Sequence, residues 1–181
     1  MTAPVFVDTN VFVYARDSRD PLKQQRAMAW LEQLWRSGLG RTSTQVLSEY
    51  FVTVTRKLAH PMQPDEAWED VQALMCWNPQ PIDRDVMTGA REIARRHGLS
   101  WWDSLVVAAA QAQQCAVLLS EDLHAGADYG GVTVRSPFEQ GVSEPAASGR
   151  NATGSGTRAK SRSQATLSSG VRRRRSSRQG G

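Results

Sequence analysis

The sequence is poor in the residues that build disulfide frameworks and zinc sites. Its 181 residues include two cysteines, Cys76 and Cys115, which are too few for a disulfide scaffold or a four-ligand zinc site. Long apolar runs are missing as well, because the longest, such as residues 105–110, fall far short of the roughly 20 residues that cross a bilayer. No basic segment followed by a long apolar one opens the sequence, so a secretory signal is not predicted. We therefore expect a cytoplasmic protein with one folded domain and no membrane association.

The positive charge of the chain is concentrated near its C-terminus. The formal net charge is +4, yet residues 143–181 hold nine of the 22 basic residues and one of the 18 acidic ones. The preceding residues therefore carry a net charge of −4. Residues 143–181 consist mainly of Ser, Gly, Ala and Arg, a composition that buries too little apolar surface to fold. We predict a folded domain at 1–142 and a disordered basic tail at 143–181, whose arginines at 172–175 either add non-specific RNA affinity or form an inert extension.

Residues 1–142 alternate short apolar runs with longer segments of helical periodicity. This alternation favours an α/β fold built on a sheet. The predicted strands lie at 5–7, 79–82, 116–119 and 132–134. The predicted helices lie at 21–37, 42–58, 65–76 and 84–97, with a further helix that is capped by Ser100 and runs to residue 112.

Acidic residues follow two of the predicted strands. Asp8 comes directly after the first strand, Asp122 comes after the third, and Asp103 begins the helix that precedes the third. Because the carboxyl ends of parallel strands form a ligand crevice, these side chains could converge on one cation. The alternative is that each acid forms a turn or caps a helix. Glu49 lies about 60° from Val46 on a helical wheel, at the flank of an apolar stripe, which by itself favours a solvated surface position.

Four ordered segments, each containing one of these acids, carry a further signal. They read VFVDTNVFVYA at 5–15, TSTQVLSEYF at 42–51, LSWWDSLVVAAA at 99–110 and VLLSEDLHAG at 117–126. In order and spacing they resemble the PIN-domain ribonucleases and, more specifically, the VapC toxins of type II toxin–antitoxin modules. The resemblance implies a three-layer α/β/α sandwich with a central parallel sheet.

The resemblance also implies an acidic metal site and two supporting polar residues. Asn10 matches a polar position that supports the site, and Ser120 matches the hydroxyl residue of a Ser/Thr-x-Asp element. Glu121 competes with Asp122 for the fourth acidic position, but Asp122 fits the spacing of that element, and adjacent residues on a strand point to opposite faces. The implied metal ligands, which are also the implied catalytic residues, are Asp8, Glu49, Asp103 and Asp122.

A site built from four carboxylates suits Mg²⁺, with Mn²⁺ as a substitute, and argues against zinc. Such cations activate water and neutralise charge on a phosphodiester, with two ions roughly 3.5–4 Å apart in many nucleases. Two carboxylates about 5 Å apart repel each other by about 3 kcal/mol at an effective dielectric constant of 20. Clustered acids therefore bind a cation or take up protons.

The sequence thus predicts a magnesium-dependent endoribonuclease that acts as the toxin of a type II toxin–antitoxin module. The resemblance implies an RNA substrate, a VapB-like antitoxin partner and a homodimer. Two alternatives are a PIN nuclease of housekeeping RNA processing and a non-catalytic RNA-binding module, although the presence of all four acids weighs against the latter. Trp101 and Trp102, beside Asp103, could stack a nucleobase, but tryptophans more commonly fill a core or a subunit interface.

Overall fold

The computed structural model describes residues 3–139, which form a parallel α/β domain. The tail predicted at 143–181 lies outside these residues. Among the helices of the described part, none is long and apolar enough to span a membrane. In chain order the elements are β1 (Val5–Val7), α1 (Thr9–Arg16), α2 (Pro21–Ser37), β2 (Gly40–Arg41), α3 (Thr44–Arg56), α4 (Pro64–Leu74), a 3₁₀ turn (Met75–Trp77), α5 (Arg84–His97), α6 (Trp101–Ala112), β3 (Val117–Leu119) and β4 (Thr133–Arg135).

The four strands form one sheet in the order β2-β1-β3-β4, and every neighbouring pair is parallel. In the central pair, Val5 lies opposite Val117 and Val7 lies opposite Leu119. Every residue of β1 is buried, although successive side chains point to opposite faces. Helices therefore cover both faces of the sheet, as parallel crossovers require. The predicted α/β sandwich with a central parallel sheet is confirmed.

The helix boundaries follow from local capping chemistry. The Ser43 hydroxyl accepts from the Val46 amide at the start of α3, and the Ser100 hydroxyl accepts from the Asp103 amide at the start of α6. Gly38 ends α2 and Gly98 ends α5, both in the left-handed region, at φ values of 67° and 69°. Glycine adopts this conformation without a steric penalty, which is why it stops these helices.

Three elements differ from the sequence expectation, and one of them is the short strand β2 at Gly40–Arg41, which was not predicted. Helix α1 was not predicted, because the β-branched and aromatic side chains of TNVFVYAR at 9–16 have strand propensity. The strand predicted at 79–82 is only an isolated bridge between Gln80 and Ser43. Of the two cysteines, Cys115 is buried and Cys76 is exposed.

Candidate active site

Asp8 lies at the carboxyl end of β1 and is the buried centre of the candidate site. Its side chain is 8% exposed and accepts hydrogen bonds at both oxygens. The Thr9 amide donates to Oδ1 at 2.7 Å, which makes Asp8 the N-cap of α1, and the buried Ser120 hydroxyl donates to Oδ2 at 2.7 Å. Asp8 therefore caps helix α1 with one carboxylate oxygen and contacts the buried Ser120 hydroxyl with the other. The second Asp8 oxygen faces the neighbouring strand because β1 and β3 pair directly.

Asn10 joins the ends of the two central strands. Its Nδ2 lies 3.3 Å from Oδ2 of Asp8 and 3.1 Å from Oδ2 of Asp122, so one amide group donates to both carboxylates. Its Oδ1 accepts from the Glu121 amide at 3.4 Å, and the Ser120 hydroxyl accepts from the Asp122 amide at 3.2 Å. The partial positive charge of the Asn10 amide thus offsets part of the repulsion between the two acids.

Glu49 reaches the same end of the sheet from α3. It is half-buried, and its carboxylate accepts from the Thr9 hydroxyl at 2.9 Å and from the Gln45 amide at 3.0 Å. The solvated surface position that periodicity favoured for Glu49 is therefore wrong. The reason is tertiary: Thr9, in the first turn of α1, supplies a donor that a wheel drawn for α3 alone does not contain.

Asp103 is connected to Glu49 indirectly, through Gln45. Its carboxylate accepts from the Ser100 hydroxyl at 2.7 Å, in the capping arrangement predicted from the sequence. Gln45 connects its neighbourhood to Glu49, because the Gln45 amide also donates to the Trp102 carbonyl at 3.3 Å. Within residues 3–139 no hydrogen bond joins Asp103 to Asp8, Glu49 or Asp122.

Glu121 and Asp122 occupy different environments. Glu121 forms an ion pair with Lys23 of α2, and the Lys23 ammonium also donates to the Tyr14 hydroxyl at 3.1 Å. Asp122 instead faces Asn10 and the Asp8 carboxylate beyond it. Lys23 thus draws Glu121 away from Asp8, which favours Asp122 as the member of the acidic group.

The electrostatics of the site are dominated by Asp8. Burial raises its pKa from 3.8 to about 6, and the negative charges of Asp122 and Glu49 act in the same direction. Hydrogen bonds from Ser120 and Thr9 oppose this rise because they stabilise the charged form. Between residues 3 and 139, no lysine or arginine lies within ion-pair distance of Asp8, Glu49, Asp103 or Asp122. The site therefore concentrates negative charge without an internal counterion.

The chemistry of these residues fits a hard divalent cation, since every candidate ligand is a carboxylate oxygen. A positive charge near Asp8 would also stabilise the ionised form of this buried carboxylate. The candidate ligands do not form a ready-made cluster: in the described part of the chain, no three acidic, thiol or imidazole side chains are placed to hold one ion together. A cation held by three or more of these side chains would therefore require them to move closer together.

Sequence reasoning missed two residues of this region, Thr9 and Gln45, which hold the Glu49 carboxylate. Trp102, considered from the sequence as a stacking residue, lines the surface groove that also contains Glu49. Neither of the adjacent tryptophans fills the core of this chain, because Trp101 is 38% and Trp102 is 60% exposed, so a subunit interface stays a prediction for them. The spacing Gln45-x-x-x-Glu49, which places both residues on one helix face, was the available signal for Gln45.

The fold and the site together define a parallel α/β domain with acids gathered at the carboxyl ends of its central strands. A family model described as the PIN domain matches residues 5–125. The chain belongs to the PIN-domain family. Among solved structures, the chain is similar to that of Mycobacterium tuberculosis VapC20, a toxin that cleaves the sarcin-ricin loop. The identity is 20%, the TM-score is 0.48, and the match covers 63% of this chain and 86% of that one. No curated protein matches the sequence.

Proposed function

We propose that this PIN-domain protein is a magnesium-dependent endoribonuclease, with Mn²⁺ as a substitute, and that it is the toxin of a type II toxin–antitoxin module. One observation carries the nuclease proposal: the buried carboxylate of Asp8 feels the negative charges of Asp122 and Glu49, and among residues 3–139 no lysine or arginine lies within ion-pair distance of it. A cation bound beside Asp8 would favour the charged form of this buried carboxyl. The PIN-domain match supports nuclease chemistry for a cation bound there.

The proposed metal ligands are Asp8, Glu49, Asp103 and Asp122. When bound, the cation supplies an activated water molecule and neutralises charge on the scissile phosphate. The chain's own residues hold and orient the carboxylates. Ser120 fixes one oxygen of Asp8, while Thr9 and Gln45 fix both oxygens of Glu49. The Asn10 amide donates to both Asp8 and Asp122 and so orients these two carboxylates relative to each other.

The proposed partners are an RNA substrate, a second copy of the chain and a VapB-like antitoxin. The uncompensated acids would accept a basic side chain of an antitoxin, which would block the cation. An open groove of about 340 Å³ between α1, α2 and α4 also presents exposed apolar side chains, among them Met28 and Trp35. Exposed apolar surface of this kind is typical of protein-binding sites. We further propose that the folded domain extends over 1–142.

The proposal is tested by incubating the purified chain with total RNA in Mg²⁺, in Mn²⁺ and in EDTA, and by mapping the fragment ends. Asp122→Asn and Glu121→Gln form a matched pair, because both neutralise an acid at the end of β3. We expect fragments with the wild type and with Glu121→Gln, in either cation only, and none with Asp122→Asn. Equal cleavage by all three proteins, or cleavage in EDTA, would contradict the metal site.

The toxin role is tested by expressing the chain in a bacterial host with and without the product of a neighbouring antitoxin-like gene. We expect growth arrest that Asp8→Asn or the second gene relieves. RNA cleavage without growth arrest would favour a housekeeping role. Stable RNA binding without cleavage in either cation would favour the non-catalytic alternative.

A further inference from the structure

A groove of about 580 Å³ begins beside Glu49 and follows the surface of α3. Gln45, Glu49, Thr53 and Lys57 all line it and recur every four residues, so they form a stripe along one face of the helix. At 1.5 Å per residue this stripe is roughly 18 Å long. The groove is therefore continuous with the candidate active site at one end and leads away from it.

Trp102 forms part of the wall of this groove and is unusually accessible. It is 60% exposed, more than any other large apolar side chain in the described part of the chain. Within residues 3–139 no other aromatic ring packs against it. Its backbone is nevertheless held in place, because the Gln45 amide donates to the Trp102 carbonyl. An indole ring on an anchored backbone is a suitable platform for stacking a flat ligand.

The opposite end of the groove carries a positive charge. Lys57 caps the C-terminus of α3 and is exposed, and over the described range no carboxylate lies within ion-pair distance of it. Thr44, Ser48 and Thr53, which carry hydroxyl groups, also line the groove. The groove thus offers one aromatic face, one cation and several hydroxyls.

We propose that this groove binds single-stranded RNA on one side of the scissile bond, with a nucleobase stacked on Trp102 and a backbone phosphate neutralised by Lys57. This inference rests on the proposed nuclease function, because a strand that enters the acidic site must leave it along an adjoining surface. A second copy of the chain fits the groove less well, since the buried centres of protein interfaces are depleted in Lys and Ser. A nucleic acid uses all three kinds of group.

The first test measures binding without cleavage. A short fluorescein-labelled single-stranded RNA of mixed sequence is titrated with the full-length protein in EDTA and followed by anisotropy. Trp102→Ala should weaken binding by about fivefold or more, the lower end of what one base–aromatic stack contributes, and Trp102→Phe should restore most of it. Trp68→Ala is the matched control, because Trp68 is also exposed but lies on α4 against Phe51. Lys57→Ala should lower the slope of log Kd against log salt by about 0.7.

The second test asks whether Trp102 contacts a nucleobase of the bound RNA. RNAs with a single abasic nucleotide are compared at successive positions. At one position the abasic RNA should bind wild type and Trp102→Ala equally, because the stack is lost in both complexes. In Mg²⁺, Trp102→Ala should raise KM for RNA cleavage while kcat changes by less than about twofold, as expected for a residue that binds substrate and transition state equally.

The results separate this inference from the proposed function. If the wild type cleaves RNA and Trp102→Ala matches it in Kd and KM, the groove assignment fails and the nuclease stands. If RNA binds through Trp102 but is never cleaved, the groove stands and the nuclease fails. If Trp102→Ala converts a dimer into a monomer in sedimentation and leaves RNA affinity unchanged, the groove is a subunit interface and the assignment is overturned.

Discussion

Two buried or half-buried aspartates illustrate how differently one domain can treat the same side chain. Asp70 of α4 forms an ion pair with Arg16 and accepts a hydrogen bond from the Tyr50 hydroxyl. Asp8, within residues 3–139, accepts hydrogen bonds from neutral groups alone and is influenced by the charges of two further acids. The charge of Asp70 is compensated by Arg16, whereas no lysine or arginine of the described residues pairs with Asp8. This difference is consistent with a structural role for Asp70 and with the cation-binding role proposed for Asp8.

The largest expected difference between the two aspartates is in RNA cleavage. Asp8→Asn should lower the rate by about a thousandfold, corresponding to several kcal/mol of lost cation-dependent stabilisation. Asp70→Asn should cleave within about threefold of the wild type at a temperature where it is folded, since it does not face the candidate site. Fragment formation in Mg²⁺ measures both, with circular dichroism to confirm folding. Comparable losses in the two variants would remove the functional distinction.

The next effect is on the pH dependence of stability. The pKa of Asp8 is about 6 in the folded state and 3.8 ordinarily, so the folded state binds the proton more tightly. Its stabilising contribution is complete below about pH 4 and is lost as pH rises through 6. In EDTA the wild type should lose up to about 3 kcal/mol relative to Asp8→Asn between pH 4 and 7. Urea unfolding of both proteins across this range measures it, and parallel curves would contradict the buried charge.

Neutralising Asp70 should lower the stability of the protein at pH 7, whereas neutralising Asp8 should raise it. Asp70→Asn removes the negative charge and one of the two acceptor oxygens that Arg16 and Tyr50 use, so the free energy of unfolding at pH 7 should fall by about 1–2 kcal/mol. The value is kept small because the Arg16 side chain is 42% exposed. Arg16→Met and the double variant complete a cycle that isolates the pair. A gain in stability on Asp70→Asn would show that this aspartate, like Asp8, is under-compensated.

The smallest expected effect comes from the cation itself. At a Mg²⁺ concentration ten times the Kd, binding to the folded state should add about 1.4 kcal/mol to the free energy of unfolding of the wild type. Asp8→Asn should gain much less, while Asp70→Asn should gain as much as the wild type. Thermal unfolding in EDTA and in increasing Mg²⁺ tests this, with Ca²⁺ and NaCl at matched ionic strength as controls. Equal gains in all three proteins would indicate non-specific ion effects.

Short-range signals made much of the fold predictable. The helix at 21–37 was predicted with the observed bounds because Pro21 and Gly38 mark its ends, and Ser100 was correctly identified as the cap of α6. Helix α1 could not be predicted in this way, since its own side chains favour a strand. It forms where the Asp8 side chain caps its first turn and where Val11 and Phe12 are buried in the core.

Some residues of the candidate site could likewise be predicted from short-range signals, and others could not. The strand-end positions of Asp8 and Asp122 could be derived from alternation alone, because parallel strands end at a common edge. Glu49 could not, since its partners Thr9 and Gln45 include a residue 40 positions away along the chain. Its assignment before the structure rested on a family resemblance, while its own periodicity favoured the surface.

The amino-acid sequence by itself determined which segments carry acids and which of them end strands, because those properties depend on neighbours a few residues away. Only the tertiary structure decided which acids share an environment, because the Coulomb and desolvation energies that raise the pKa of Asp8 depend on distances between side chains brought together from β1, α3 and the end of β3. The same packing left Trp102 and Lys57 exposed along the groove that contains Glu49, which no local pattern in the sequence indicates.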